Sequence, residues 1–364
     1  MDNSILALLA LHLTPGIGGH TIRQLISHVG SPENVFKIPK GKLASIPGIG
    51  KARIEWLSQK EGFAKSEKIL TEAQNSKTKV LAFYEKDFPQ RLKNCYDAPV
   101  LLFYKGNANL NSDKIISLVG TRKATTYGIE QAQTIIKGIK NYQPLIISGL
   151  AYGIDISAHL AAMESGLPTV AVMASGINHI YPSKHKPIAS KMTDQGGLLT
   201  EYAFEELPEP GKFPARNRII AGLSDAVIVV EAAAKGGALI TAEMANSYNR
   251  EVFAVPGNNQ RTTSEGCNLL IRNHKANILT KPEDIPYILG WELTAKPFPV
   301  QSIPELEQDE KTVWKVLSSG TEFMIDELSI RSGIPMNKLA GVLLSLEFKG
   351  HVKALPGKRF KLAA

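Results

Sequence analysis

From Ile115 onward the chain repeats one pattern: a short apolar run rich in β-branched residues, a loop, and a segment of helical length. The runs are IISLVG, PLIISG, TVAVMASG, LLTEY, DAVIVVEA, EVFAVPG and NILT. Strands buried on both faces read as such near-continuous apolar runs. Their alternation with helices predicts an α/β domain built on a doubly wound, mostly parallel sheet with helices on both sides. Ligands of such sheets sit beyond the carboxyl ends of the strands, where the loops converge.

The pattern differs at both ends. ILALLALHL, near the N-terminus, is apolar but short, follows Asp2 and lacks a basic leader, so it predicts a buried helix rather than a signal or a membrane span. TPGIGGHTIRQL and IPGIGKARIEWL then repeat one phrase, an internal duplication in which Pro-Gly-Ile-Gly forms a tight turn between helices. These hairpins resemble helix-hairpin-helix modules, in which free N–H groups and basic residues such as Lys51 and Arg53 hold phosphates. A purely architectural turn is the alternative. Strand-like runs broken by Pro and Asp follow from residue 80. The Pro- and acid-rich stretch AKPFPVQSIPELEQDE marks a linker, and the remainder reads helix, helix, turn, helix and a two-stranded wing, a winged-helix pattern. Its third helix, PMNKLAGVLLSLEFKG, has few cations, so packing or protein contact competes with DNA binding there. The domains expected are 1–75, 76–291 and 309–364, with a linker at 292–308.

Composition narrows the partners. Of 364 residues, 43% are hydrophobic, enough for a sizeable core, and 42 Lys and Arg against 34 Asp and Glu give a formal charge of +8. A basic balance favours a polyanion. The excess falls in the N-terminal third, so an anion site in the central domain has to be a local concentration. The two cysteines, Cys95 and Cys267, lie far apart without a CxxC spacing, which supports neither a disulfide framework nor a zinc site and fits a reducing cytoplasm.

Three loops at strand ends suit an anion: VGTRKATTYG, SGLAYGID and EAAAKGGALITAEMA, each placing glycine beside a helix start. Arg122 and the cluster KFPARNR, residues 212–218, add cations. Gly120-Thr121-Arg122-Lys123-Ala124-Thr125 is not GxGxxG, and no GxxxxGK[ST] occurs, so no nucleotide cofactor is expected. No nucleophile set stands out, and His159, His179 and His185 read as structural. Phe213 between Lys212 and Arg216 is suited to stacking an unpaired base while its phosphates are held. The alternative is a core phenylalanine with arginines paired to Glu205, Glu206 and Glu209.

In this order, VGTRKATTYG, SGLAYGIDISAH, FPARNRIIAGLSDAVIVVEA, GGALITAEMA, VPG and GCNLLIR resemble the DNA processing protein A family, over nearly the whole chain. The resemblance implies an extended Rossmann-like core between an N-terminal helix-hairpin-helix (SAM-like) domain and a C-terminal winged helix. It implies a cytoplasmic, homodimeric, non-enzymatic protein that binds and protects incoming single-stranded DNA and loads the RecA recombinase during natural transformation. Carried onto this sequence, Gly120, Thr121 and Arg122 would bind a phosphate, and Lys212 with Phe213 would hold a phosphate and stack a base. Arg216, Asn217 and Arg218 would line the pocket; Gly236, Gly237 and Thr241 would offer donors, with Asn268 in GCN a further candidate. Asp155 would shape its loop. Thr121 stands where serine is commoner, KGGALITA lacks two hydroxyls usual in the family, and Lys275 replaces a glycine. The rival reading is a nucleoside-monophosphate phosphoribohydrolase-like enzyme, since GGALITAE is similar to the PGGxGTxxE loop, with Gly236, Gly237 and Thr241 binding a nucleotide and Glu243 as acid.

Overall fold

The computed structural model describes residues 3–59, 62–292, 306–318, 322–355 and 357–362. Two compact units divide the chain, Met1–Leu293 and Thr294–Ala364. The expected linker, 292–308, falls largely outside the described residues.

The first unit is built on one nine-stranded sheet. Its strands are β1 (Lys79–Ala82), β2 (Leu101–Gly106), β3 (Ile115–Val119), β4 (Leu145–Ser148), β5 (Thr169–Val172), β6 (Gly196–Thr200), β7 (Ala226–Val229), β8 (Glu251–Ala254) and β9 (Asn277–Ile278), in the order β1-β2-β6-β5-β4-β3-β7-β8-β9. From β6 to β9 every pairing is parallel; β1 and β2 extend the sheet antiparallel beyond β6. The chain runs outward from β3 through β4, β5 and β6, then returns to place β7 on the other side of β3. The topological switch point therefore lies between β3 and β7, where the crossovers diverge and leave a crevice.

Strand alternation sorts the core. Ile115, Val119, Leu145, Ile147, Val227 and Val229 face one side and pack with Ile219, Ile220 and Leu223 of the helix Lys212–Leu223 and with Ala238, Ala242 and Ala245 of the helix Gly237–Ser247. Ile116, Leu118, Ile146 and Ile228 face the other and meet the helices Thr126–Ile139 and Ile154–Glu164. This period of two makes β3, β4 and β7 apolar at every position, with only Ser117 and Ser148 hydroxylated. Where β1 and β2 lack crossover helices, the N-terminal helices supply the cover. Leu8, Leu9, Leu11, Ile22 and Leu25 share a core with Leu101, Phe103, Ala171 and Leu198.

All but the last residue of ILALLALHL lies within the helix Asn3–His12, which is buried from Ala7 to Leu11. The duplicated turns are alike in backbone: Gly16 (φ +67°) and Gly48 (φ +78°) both take the left-handed region that the phrase demands, ahead of the helices Gly19–Val29 and Lys51–Gln59. A Cβ on Gly16 would strike the ring of Trp56, so one hairpin rests on the other. Arg53 donates to its own turn at Gly48 O, 2.6 Å away.

The second unit has helices Gln308–Leu317, Ile325–Ser332 and Met336–Phe348 and a three-stranded sheet, β10 (Phe323–Met324), β11 (Val352–Leu355) and β12 (Arg359–Leu362), ordered β10-β12-β11. Val313, Leu317, Leu328, Leu339, Leu343 and Leu346 form its core. A capping box between Glu307 and Glu310 starts the first helix. Lys338 in the third helix is paired with Asp309 at 2.5 Å, and Lys349 just after it with Glu310 at 2.7 Å. No helix among the described residues is long and apolar enough to cross a membrane.

Candidate nucleic-acid interface

At the switch point a cleft of about 980 Å³ opens between the loop after β3, the loop after β7 and one side of the helix Lys212–Leu223. Nine of the residues expected from sequence line it: Gly120, Thr121, Arg122, Phe213, Arg216, Asn217, Gly236, Gly237 and Thr241. Lys212, Arg218 and Asn268 do not.

Arg122 is exposed and its guanidinium carbon stands 5.1 Å from the centre of the Phe213 ring. A cation over an aromatic face gains about 0.5–1 kcal/mol at an exposed site, and the pairing presents a charge and an apolar plate side by side. The β3 loop is held open by Gly153 (φ +75°), which lies against the carbonyls of Thr121 and Arg122; a side chain there would collide with the backbone. Ile154 N–H donates to Thr121 O at 3.2 Å.

The helix N-termini that follow the β3 and β7 loops differ. The helix Thr126–Ile139 is already satisfied from within. Thr125 caps it, and the buried Glu231 carboxylate accepts from Thr125 N and Thr125 Oγ1, both at 2.9 Å. Thr121 N–H is taken by Glu231 O at 2.7 Å. The place where a dinucleotide fold would receive a phosphate thus holds the protein's own anion. The sequence reading of VGTRKATTYG as a backbone phosphate cradle is revised accordingly: its Arg122 side chain faces the cleft, and its helix start is engaged by Glu231. By contrast, the helix Gly237–Ser247 follows the extended Gly236 and has no side-chain cap, so its first N–H groups and dipole open onto the cleft. Thr241, 1% exposed, donates its hydroxyl to Gly237 O at 3.0 Å and so serves its own helix. Asn217 donates to Gly237 O at 3.3 Å, tying the two helices at the cleft.

Arg216 forms the floor. Only 4% exposed, it donates to Gly149 O at 2.6 Å and to Val172 O, and its Nε to Asn217 Oδ1 at 3.2 Å. Burial lowers its guanidinium to about 10, against the opposing attraction of Asp155. It remains charged near neutral pH, with its donors turned inward. Asp155, likewise buried, accepts from Ala151 N at 3.3 Å and shapes the β4 loop; burial pushes its carboxyl up.

The remaining expected residues have other partners. Lys212 donates to Leu207 O at 2.9 Å, pairs with Glu206 at 3.0 Å and Glu209 at 3.6 Å, and lies over Tyr202. Arg218 is bonded to Asp97 O at 2.8 Å and to Glu201, on the side of the helix facing the N-terminal helices. Asn268 closes a loop by accepting from Gly257 N and donating to Gly257 O and Asn259. Lys275 pairs with Glu243 at 2.6 Å. His159 is fully buried and bonded to Thr169, and burial lowers it to about 3, so it is neutral; His185 bonds Leu150 O and His179 bonds Glu205. Sequence reasoning missed Glu231 and Tyr181. Tyr181 lies in no motif singled out from the sequence; Glu231 does, and as an acid ending the apolar run DAVIVVE it is itself a signal that a buried carboxylate needs donors.

The chain matches the family described as DNA recombination-mediator protein A over residues 79–289 and the DprA winged helix domain over residues 297–358. It is 30% identical to Protein Smf of Synechocystis over 97% of both chains, and 42% identical to DNA processing protein DprA of Streptococcus pneumoniae over 54% of this chain and 70% of that one. The X-ray structure of the Streptococcus pneumoniae protein superposes with a TM-score of 0.69 at 34% identity, covering 79% of this chain and 98% of that one. DNA processing protein A from Helicobacter pylori, described for its single-stranded DNA binding mode, superposes with a TM-score of 0.53 at 26% identity, over 58% and 95%. With its strand order, switch-point cleft and winged helix, this chain belongs to the DNA recombination-mediator protein A family.

Proposed function

We propose that the protein binds single-stranded DNA without sequence preference in the switch-point cleft and acts as a recombination mediator. One observation carries the reading: Arg122 stands over Phe213 in the same cleft as the uncapped start of the helix Gly237–Ser247. A cation and a helix N-terminus hold phosphates, and an aromatic face accepts any unpaired base. Gly236 and Gly237 offer backbone donors, and Asn217 fixes that helix start. Arg216 stiffens the floor, whereas Lys212, Arg218 and Asn268 support the scaffold from outside the cleft. No catalytic role is assigned. Glu243, the acid that a phosphoribohydrolase would use, also lines the cleft and pairs at the surface with Lys275.

As in the family resemblance, the protein acts in the cytoplasm as a homodimer that protects incoming strands and delivers them to RecA during transformation. Fluorescently labelled single- and double-stranded oligonucleotides titrated with the full chain test the reading. The expected result is preference for the single strand with steep salt dependence; equal affinity for both, or none for either, overturns it.

A further inference from the structure

We infer that Tyr181 is a second base-stacking residue of the cleft, taking the nucleotide adjacent to the one on Phe213. The inference rests on the proposed function and deepens it. Tyr181 lines the same cleft as Arg122 and Phe213, and it is 50% exposed there. Its ring meets that of Phe213 edge-to-face, with centroids 5.6 Å apart and planes inclined at 63°. Two rings so inclined offer separate plates. Bases lying flat on planes inclined at 63° cannot stay parallel to each other. Neighbouring bases can occupy both only after they have come apart, which a flexible single strand allows and a duplex does not.

Three buried or half-buried tyrosines of the unit are anchored in a way Tyr181 is not. Tyr104, Tyr127 and Tyr248 fix their hydroxyls on Ala108 O, Pro256 O and Asp97 at 2.9, 2.8 and 2.6 Å. Among the described residues the Tyr181 hydroxyl makes no hydrogen bond. Its ring meets Phe213, which Arg122 of the β3 loop also covers. A large half-exposed ring with so little internal anchorage suits a ligand that brings its own aromatic surface.

The test compares wild type, Tyr181→Ala, Tyr181→Leu, Tyr181→Phe and Phe213→Ala against a poly-dT oligonucleotide and against the same strand with single abasic positions. Tyr181→Ala is expected to weaken binding about 5- to 150-fold, the range for loss of one stacked base, with the salt slope unchanged because no phosphate contact is lost. Tyr181→Leu, which keeps apolar bulk against Phe213 without a π-face, should be nearly as weak, and Tyr181→Phe should bind as wild type. Wild type should lose affinity at two adjacent abasic positions. Tyr181→Ala should be indifferent at one of them and Phe213→Ala at the other. Unchanged binding by both the Ala and Leu variants, loss in Tyr181→Phe, or identical abasic profiles for wild type and Tyr181→Ala overturns the assignment while the functional reading stands. Failure of wild type and Phe213→Ala alike to bind the unmodified strand overturns the functional reading itself.

Discussion

Replacing Arg122 by alanine separates binding from folding in one step. The side chain is exposed and its recorded packing partner is the Phe213 ring, so the change should leave stability within about 1 kcal/mol of wild type. What it removes is a cation standing 5.1 Å above the Phe213 ring at the mouth of the cleft. One lost charge-assisted contact to a phosphate costs about 1.5–3 kcal/mol, which is about 12- to 150-fold in affinity for a single strand. A second readout is independent of that estimate. With one phosphate fewer neutralised, the slope of log K against log salt should fall by about 0.7. Fluorescence anisotropy across a salt series measures both, and thermal melting checks the fold. Arg122→Lys keeps the charge without the planar fork, so it should retain the slope and recover part of the affinity. An alanine variant with wild-type affinity and an unaltered slope would refute the placement of a phosphate at this loop.

Arg216→Ala should do the reverse: by stranding Gly149 O, Val172 O and the nearby Asp155 it costs about 3–5 kcal/mol of stability, read as a lower urea midpoint with DNA absent. Glu231→Ala deprives Thr125 of two acceptors and should lower stability by about 2–4 kcal/mol, with Glu231→Gln closer to wild type; equal melting of Glu231→Ala and wild type would dismiss its role as an internal anion. In the winged-helix unit, hydrogen bonds from Lys349 and Ser345 hold Glu310 down to about 2. Its stabilising contribution is therefore complete above the usual glutamate range and fades as pH falls from about 4.5 toward 2, and a Glu310→Gln variant followed by circular dichroism should lose that acid dependence.

The crossover pattern, and with it the edge of the sheet where ligands gather, was legible because buried parallel strands have to be apolar throughout. The loops that meet there could be picked out for the same reason. The KFPARNR cluster misleads for an equally physical cause. Read along the chain, its cations look like one patch, but on a helix each residue turns about 100° from the last. Phe213 and Asn217, four apart, share the side facing the cleft; Arg218 swings toward Asp97 and Glu201, and Lys212 is drawn back by Glu206 and Glu209. Which arginine faces the ligand depends on partners brought from distant segments, which no local pattern records. Glu231 and Tyr181 escaped for that reason too, each acquiring its meaning from Thr125 or Phe213 far away in sequence.

The helix bearing Phe213 is bolted to two neighbouring strand ends through the inward-turned guanidinium of Arg216. Such a mount cannot tilt without stripping buried donors, so the platform is rigid before any strand arrives. Little ordering entropy of the protein itself then remains to be lost on capture. Encounter should then govern how fast strands are picked up, and variants around the rim should differ chiefly in how long they hold on.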